Sequence, residues 1–170
     1  MRIKIIYISL LILQISATGF AQKHNLTKED LKQLSGCWEG SLTYLDYSTN
    51  KPFSMPANYN ISPIEKSNTF KVVVTYPKEP EANSIDTIFI SANGNEIDGE
   101  IITSKRVLSD KSFEIITEQK GKDGNDDKPA TFRFTYLLSA ENYSKKKEVK
   151  FDDGEAWIMR HEYKFKRCKD

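Results

Sequence analysis

Cys37 and Cys168 are the only thiols in the chain and stand at the two ends of its strand-rich part. In an oxidising compartment such a pair makes one disulfide. His161 is the second chemical candidate. The other histidine, His24, lies in what reads as a loose N-terminal stretch. An imidazole held inside a fold can orient a ligand or ligate haem iron. Asp123-Gly124-Asn125-Asp126-Asp127 has a passing likeness to a calcium loop. The acidic spacing and flanking helices of that site are missing, so it reads as a solvated loop. Lys145-Lys146-Lys147 reads as a solvated strand edge whose charge discourages edge pairing. There is no Gly-x-Ser-x-Gly elbow, no phosphate loop and no zinc-type cluster. These residues suit binding better than catalysis, and they specify no cofactor.

The elements that must position them are the two end strands. Alternation puts Trp157, Met159, His161, Tyr163, Phe165 and Arg167 on one face of the last strand, and Trp38, Gly40, Leu42 and Tyr44 on one face of the first. The aromatic-rich faces are the expected interior. Laid antiparallel with Cys37 opposite Cys168, the strands set Trp38 against Arg167, Gly40 against Phe165, Leu42 against Tyr163 and Tyr44 against His161. On the outer face Glu39 then meets Lys166, an opposite-charge pair. A one-residue slip would reverse every face. One register therefore satisfies the cysteines, the aromatics and the charges together.

Gly36-Cys37-Trp38, directly after a short helical stretch, resembles the Gly-x-Trp entry of the lipocalin-like (calycin) superfamily. In that family a late-strand Arg packs on the Trp, and Arg167 holds the matching position. The resemblance covers the two ends and the strand-rich middle; the other conserved loops of true lipocalins have no match here. It implies a barrel whose floor is closed by a Trp38–Arg167 plug, with room inside for a small, largely apolar ligand. Some lipocalin-like barrels, the nitrobindin type, hold haem through a histidine near the C-terminus. Haem or another tetrapyrrole on His161 is therefore the alternative. A third reading is a solid barrel that engages a protein or glycan through its surface.

Residues 1–21 read as a signal peptide: Arg2 and Lys4, then an apolar run from Ile5 to Ile15, then Gly19-Phe20-Ala21. The run is short for a membrane span and no later stretch could serve as one. Residues 22–170 fit one domain with a real core. A net charge of +1 gives no footprint for nucleic acid or an anionic membrane. The expected product is a secreted or periplasmic monomer.

A helix is predicted over Asn25–Ser35, capped by Thr27 with Asp30 at the capping-box position and Leu26 stapled to Leu31. Strands follow over Cys37–Tyr47, Ala57–Ile64, Phe70–Tyr76, Ile85–Ser91, Glu96–Val107, Phe113–Gln119, Thr131–Leu138, Ser144–Phe151 and Ala156–Cys168. Gly121–Lys128 reads as a charged loop. Nine strands in a simple meander cannot pair first with last antiparallel. Either one segment lies outside the barrel or Glu96–Val107 splits at Gly99. The fold class is all-β: a single antiparallel up-and-down β-barrel of about eight to ten strands with a short N-terminal helix. Tyr44, Tyr59, Phe70, Phe134, Tyr136, Met159, His161 and Tyr163 are the interior ligand-binding candidates, and Trp38, Arg167, Cys37 and Cys168 the structural ones.

Overall fold

The computed structural model describes residues 25–46, 49, 51–108 and 112–169; the expected signal peptide and His24 lie outside them. Helix α1 (Lys28–Leu31) runs into a 3₁₀ turn, Lys32–Leu34. Ten strands follow: β1 (Gly36–Asp46), β2 (Lys51–Pro63), β3 (Thr69–Thr75), β4 (Ser84–Phe89), β5 (Glu96–Ile97), β6 (Glu100–Val107), β7 (Phe113–Asp123), β8 (Lys128–Leu138), β9 (Asn142–Phe151) and β10 (Ile158–Arg167). They form one antiparallel sheet in the order β4-β3-β2-β1-β10-β9-β8-β7-β6-β5. A bridge between Ile90 and Ile97 brings its two ends together, so the up-and-down barrel is nearly closed. Among the described residues no helix is long and apolar enough to cross a membrane.

The even strand number comes from the split at Gly99. Asp98 and Gly99 both take positive φ (56° and 81°) and turn β5 into β6. The β1–β10 register is the one expected: Trp38 faces Arg167, Glu39 faces Lys166, Gly40 faces Phe165, Leu42 faces Tyr163 and Tyr44 faces His161. A disulfide joins Cys37 to Cys168, and the Cys168 amide donates to the Cys37 carbonyl at 3.1 Å. Gly40 is required by this pairing, since a Cβ there would lie 1.9 Å from the Lys164 carbonyl oxygen.

The helical segment is shorter than its sequence suggests, but the Thr27–Asp30 capping box is formed. Leu26, Leu31 and Leu34 bury into the core cluster and cover one end of the barrel. Two further ties hold them there: Leu26 N–H donates to the Gly94 carbonyl at 2.8 Å, and Lys105 pairs with Asp30 at 2.7 Å.

Four sequence expectations need correcting. The strand predicted from Ala57 begins at Lys51. It pairs with β3 only from Asn58 to Pro63, so Pro52 and Pro56 fall where β2 has one neighbour and no second ladder needs their missing N–H. The charged loop shrinks to a turn over 124–127, because β7 and β8 stay paired out to Asp123 and Lys128. The lysine run lies on β9, paired on both sides, and is no sheet edge. Finally, a bulge between Met159 and His161 shifts the face of β10. Met159 therefore pairs with Glu148, on the face where Glu148 meets Arg133 at 2.9 Å. Trp157 stacks on Arg133 there, 3.9 Å from the ring centre.

The ring also has a seam. Apart from the bonds at its Phe89–Ile90 end, β4 has a strand partner on one edge only, and β7 beyond Glu118 pairs with β8 alone.

Two tests follow from this architecture. Reducing the disulfide, or making Cys37→Ser with Cys168→Ser, should cost roughly 3–5 kcal/mol, seen as a melting temperature lower by about 10 °C. Gly40→Ala should cost about 2–3 kcal/mol, because backbone must move to admit the methyl; chemical denaturation measures it.

Candidate functional site

Cross-strand rows give the interior a graded chemistry. At the covered end, Tyr59, Trp38 and Arg167 are in register across β2, β1 and β10. Trp38 is fully buried, and its Nε1–H donates to the Leu34 carbonyl at 2.7 Å. The Arg167 guanidinium lies 4.1 Å above the indole. It donates to the carbonyls of Ala140 (2.6 Å), Ser35 (2.9 Å) and Gln33. That is a plug: a cation whose hydrogen bonds are satisfied by chain ends and whose face is taken by an aromatic ring.

The next row, Ala57–Gly40–Phe165–Tyr143–Leu138–Phe113, is apolar and packed. Phe165 stacks between Tyr143 and Tyr163, with both ring centres at 5.8 Å. Above it runs Met55–Leu42–Tyr163–Lys145–Tyr136–Ile115. Here the first lysine of β9 enters. Lys145 lies over Phe134 and Tyr136 and reaches Asp98 at 3.4 Å. Glu100 is buried beside it and accepts from Thr117 Oγ1 at 2.8 Å. Burial pushes the Glu100 carboxyl above its ordinary range, opposed by the Thr117 hydrogen bond and by Lys145.

The next row is Phe53–Tyr44–His161–Lys147–Phe134–Thr117, beyond which β8 and β9 add Phe132–Val149 and Ala130–Phe151 on the same face. It borders a recess of ≈500 Å³ lined by Tyr44, Leu45, Asp46, Asp123, Lys147, Arg160 and His161. Arg160, carried by the bulge of β10, donates to Asp123 at 2.8 Å and lies over Phe151. Lys147 lies 4.4 Å from the Phe132 ring centre. His161 meets Phe134 and Tyr163 edge-on, at 6.5 and 5.8 Å. Burial, then Lys147 and Lys145, push its pKa down from 6.5 to about 4. At neutral pH the recess therefore presents an uncharged imidazole.

The eight candidate residues separate accordingly. Tyr44 and His161 line the recess, and Phe134 stands beside His161. Tyr163 and Tyr59 belong to the packed aromatic column, 5.3 Å apart. Phe70 is fully buried and Tyr136 nearly so, its hydroxyl 3.5 Å from Glu100. Met159 is on the other face. Lys145, Lys147, Arg160 and Asp123 are the residues that sequence reasoning missed. Alternation on β9 already groups both lysines with Tyr143 and Val149, and that was the available signal. On the outside of the barrel a second recess, ≈640 Å³, has Leu108, Phe113, Leu137 and Phe165 in its walls and Lys164 and Lys166 at its rim.

No family model matches the chain, and no curated protein does. Among solved structures it is similar to Rv2717c from M. tuberculosis, at 12% identity and a TM-score of 0.54, over 83% of this chain and 96% of that one. At that identity the likeness is one of fold: a β-barrel spanning nearly the whole neighbour.

His161 gives this site a pH signature. Between about 6.5 and about 4 the unfolded chain binds a proton that the folded chain refuses. Stability should therefore fall as pH drops through that window and level off below it. We expect His161→Gln to remove about 2 kcal/mol of this dependence, part of the shift being discounted for partial exposure. Paired melting curves of the two proteins from pH 7 to 4 measure it.

Proposed function

We propose that this chain is an exported, lipocalin-like barrel that binds a small, largely apolar molecule in the open half of its interior, as a monomer. The observation that carries the reading is the recess lined by Tyr44, Leu45, Lys147 and His161, with Asp46 and the Arg160–Asp123 pair also in its wall, above a solid aromatic base. A concave site where apolar side chains and convergent polar groups meet suits a small ligand. The Gly36-x-Trp38 entry, with Arg167 stacked on the indole, supports the lipocalin-like assignment. The composition of residues 1–21 and the disulfide support export.

His161 favours a second reading, haem or another tetrapyrrole, because its uncharged imidazole borders the recess. The outer groove favours a third, a partner bound at the surface.

Native mass spectrometry on protein recovered from an extracytoplasmic compartment tests the leading reading. The expected species is a monomer starting at Gln22, about 2 Da lighter than the reduced chain, with a retained small molecule. A Soret band lost in His161→Ala would instead select the tetrapyrrole. An empty barrel that also fails to bind the apolar dye N-phenyl-1-naphthylamine would refute an interior ligand.

A further inference from the structure

Lys147 is the cation in the recess for which the fold supplies no counter-ion. Its neighbours are all provided for. Lys145 reaches Asp98 at 3.4 Å, Lys146 turns to the other face and meets Glu148 at 3.1 Å, and Arg160 holds Asp123. Lys147 forms no ion pair among the described residues; its contacts are the rings of Phe132 and Phe134, at 4.4 and 5.7 Å. It has no route outward, because β9 is paired on both sides and the Phe134–Lys147–His161 register fixes it inside. Asp46 also lines the recess, two residues beyond Tyr44 on β1, and so further along the strand than the Tyr44–His161–Lys147 row.

Holding an ammonium half-desolvated against aromatic walls costs free energy unless something compensates. Contact with ring faces returns only part of that cost. An aliphatic residue would fill the same position on β9 at no such cost. Its surroundings define what would complete it: the rings of Phe132 and Phe134 against the ammonium, Tyr44 and an uncharged imidazole in the same recess, with Arg160 and Asp123 already paired to each other and Asp46 further along β1.

Building on the interior-ligand reading above, we propose that the open half is selective for organic acids: a compact aromatic or conjugated molecule bearing one carboxylate or sulfonate, the acid group seated on the Lys147 ammonium and the rings against Phe134 and Tyr44. The aromatic rows below keep the acid group in the outer half. The acid pairs with a recess cation that has no ion pair among the described residues, so binding gains a charge-assisted contact without breaking an existing one.

Two probes that differ only in the acid test this. 8-Anilinonaphthalene-1-sulfonate carries a sulfonate; N-phenyl-1-naphthylamine is the same ring system without it. Fluorescence titration of the wild type should give tighter binding of the sulfonate. Lys147→Met should weaken the sulfonate about tenfold and leave the neutral dye unchanged, with Lys146→Met altering neither. Melting curves of both variants check the fold. If the wild type binds the neutral dye with no preference for the sulfonate, selectivity is wrong and the interior-ligand reading survives. If neither probe binds, both fail. If sulfonate binding follows Lys164→Met with Lys166→Met rather than Lys147→Met, the anion site is the outer groove and the proposal is overturned. Equal loss of both dyes in a well-folded Lys147→Met would show that Lys147 shapes the recess without reading charge, which also overturns it.

Discussion

The stacking of Arg167 on Trp38 holds together three parts of the chain that have no other common point. Strand order makes β1 and β10 neighbours, so the first and last strands meet in the middle of the sheet. Were that pair to part, the ring would open at its middle and be joined only through the Ile90–Ile97 bridge. Arg167 prevents this from several directions. Its guanidinium covers the indole, donates to carbonyls of the 3₁₀ turn, and donates to Ala140 between β8 and β9. Gly36, at φ 118°, lets it approach, since a Cβ there would lie 3.0 Å from one guanidinium nitrogen. The disulfide one residue further out then fixes a junction that packing has already defined.

From that junction the interior changes character row by row. Trp38, Tyr59, Tyr143, Tyr163 and Phe165 fill the first rows with ring contacts. Burial raises the pKa of the Tyr59 and Tyr143 hydroxyls, so this column stays uncharged across any physiological pH. Apart from Arg167 in the plug, charge appears above it, first as the compensated group of Glu100, Lys145 and Asp98, then as Lys147. Ring packing and the lysines thus occupy different heights of the same strands. The order of side chains along β9, Tyr143 then Lys145 then Lys147, records the transition.

The base of this arrangement was legible in the sequence because several constraints agreed there. Two cysteines, alternating aromatics and the Glu39–Lys166 pair all required one register, and a slip would have broken every one of them. Parity alone left the split at Gly99 as one of two alternatives, and the positive φ of Asp98 and Gly99 decides it. The recess was not. A run of three lysines looks like a solvated edge when read by composition, and only the pairing of β9 with both neighbours sends the first and third inward. The bulge at Met159 was hidden for a different reason: alternation extrapolates through an extra residue without registering it, so Trp157 and Met159 were carried to the wrong side. Local pattern identifies which residues share a face. Which face that is, and whether it persists along the strand, depends on neighbours distant in sequence.

The seam between β4 and β7 leaves the barrel closed at one height and open at another. Near the helix, the Ile90–Ile97 bridge and the β1–β10 junction fix the circumference with backbone bonds. Toward the recess, the facing edges of β4 and β7 share no ladder. Among the described residues the barrel is thus a sleeve closed by backbone bonds at its base and slit toward its rim.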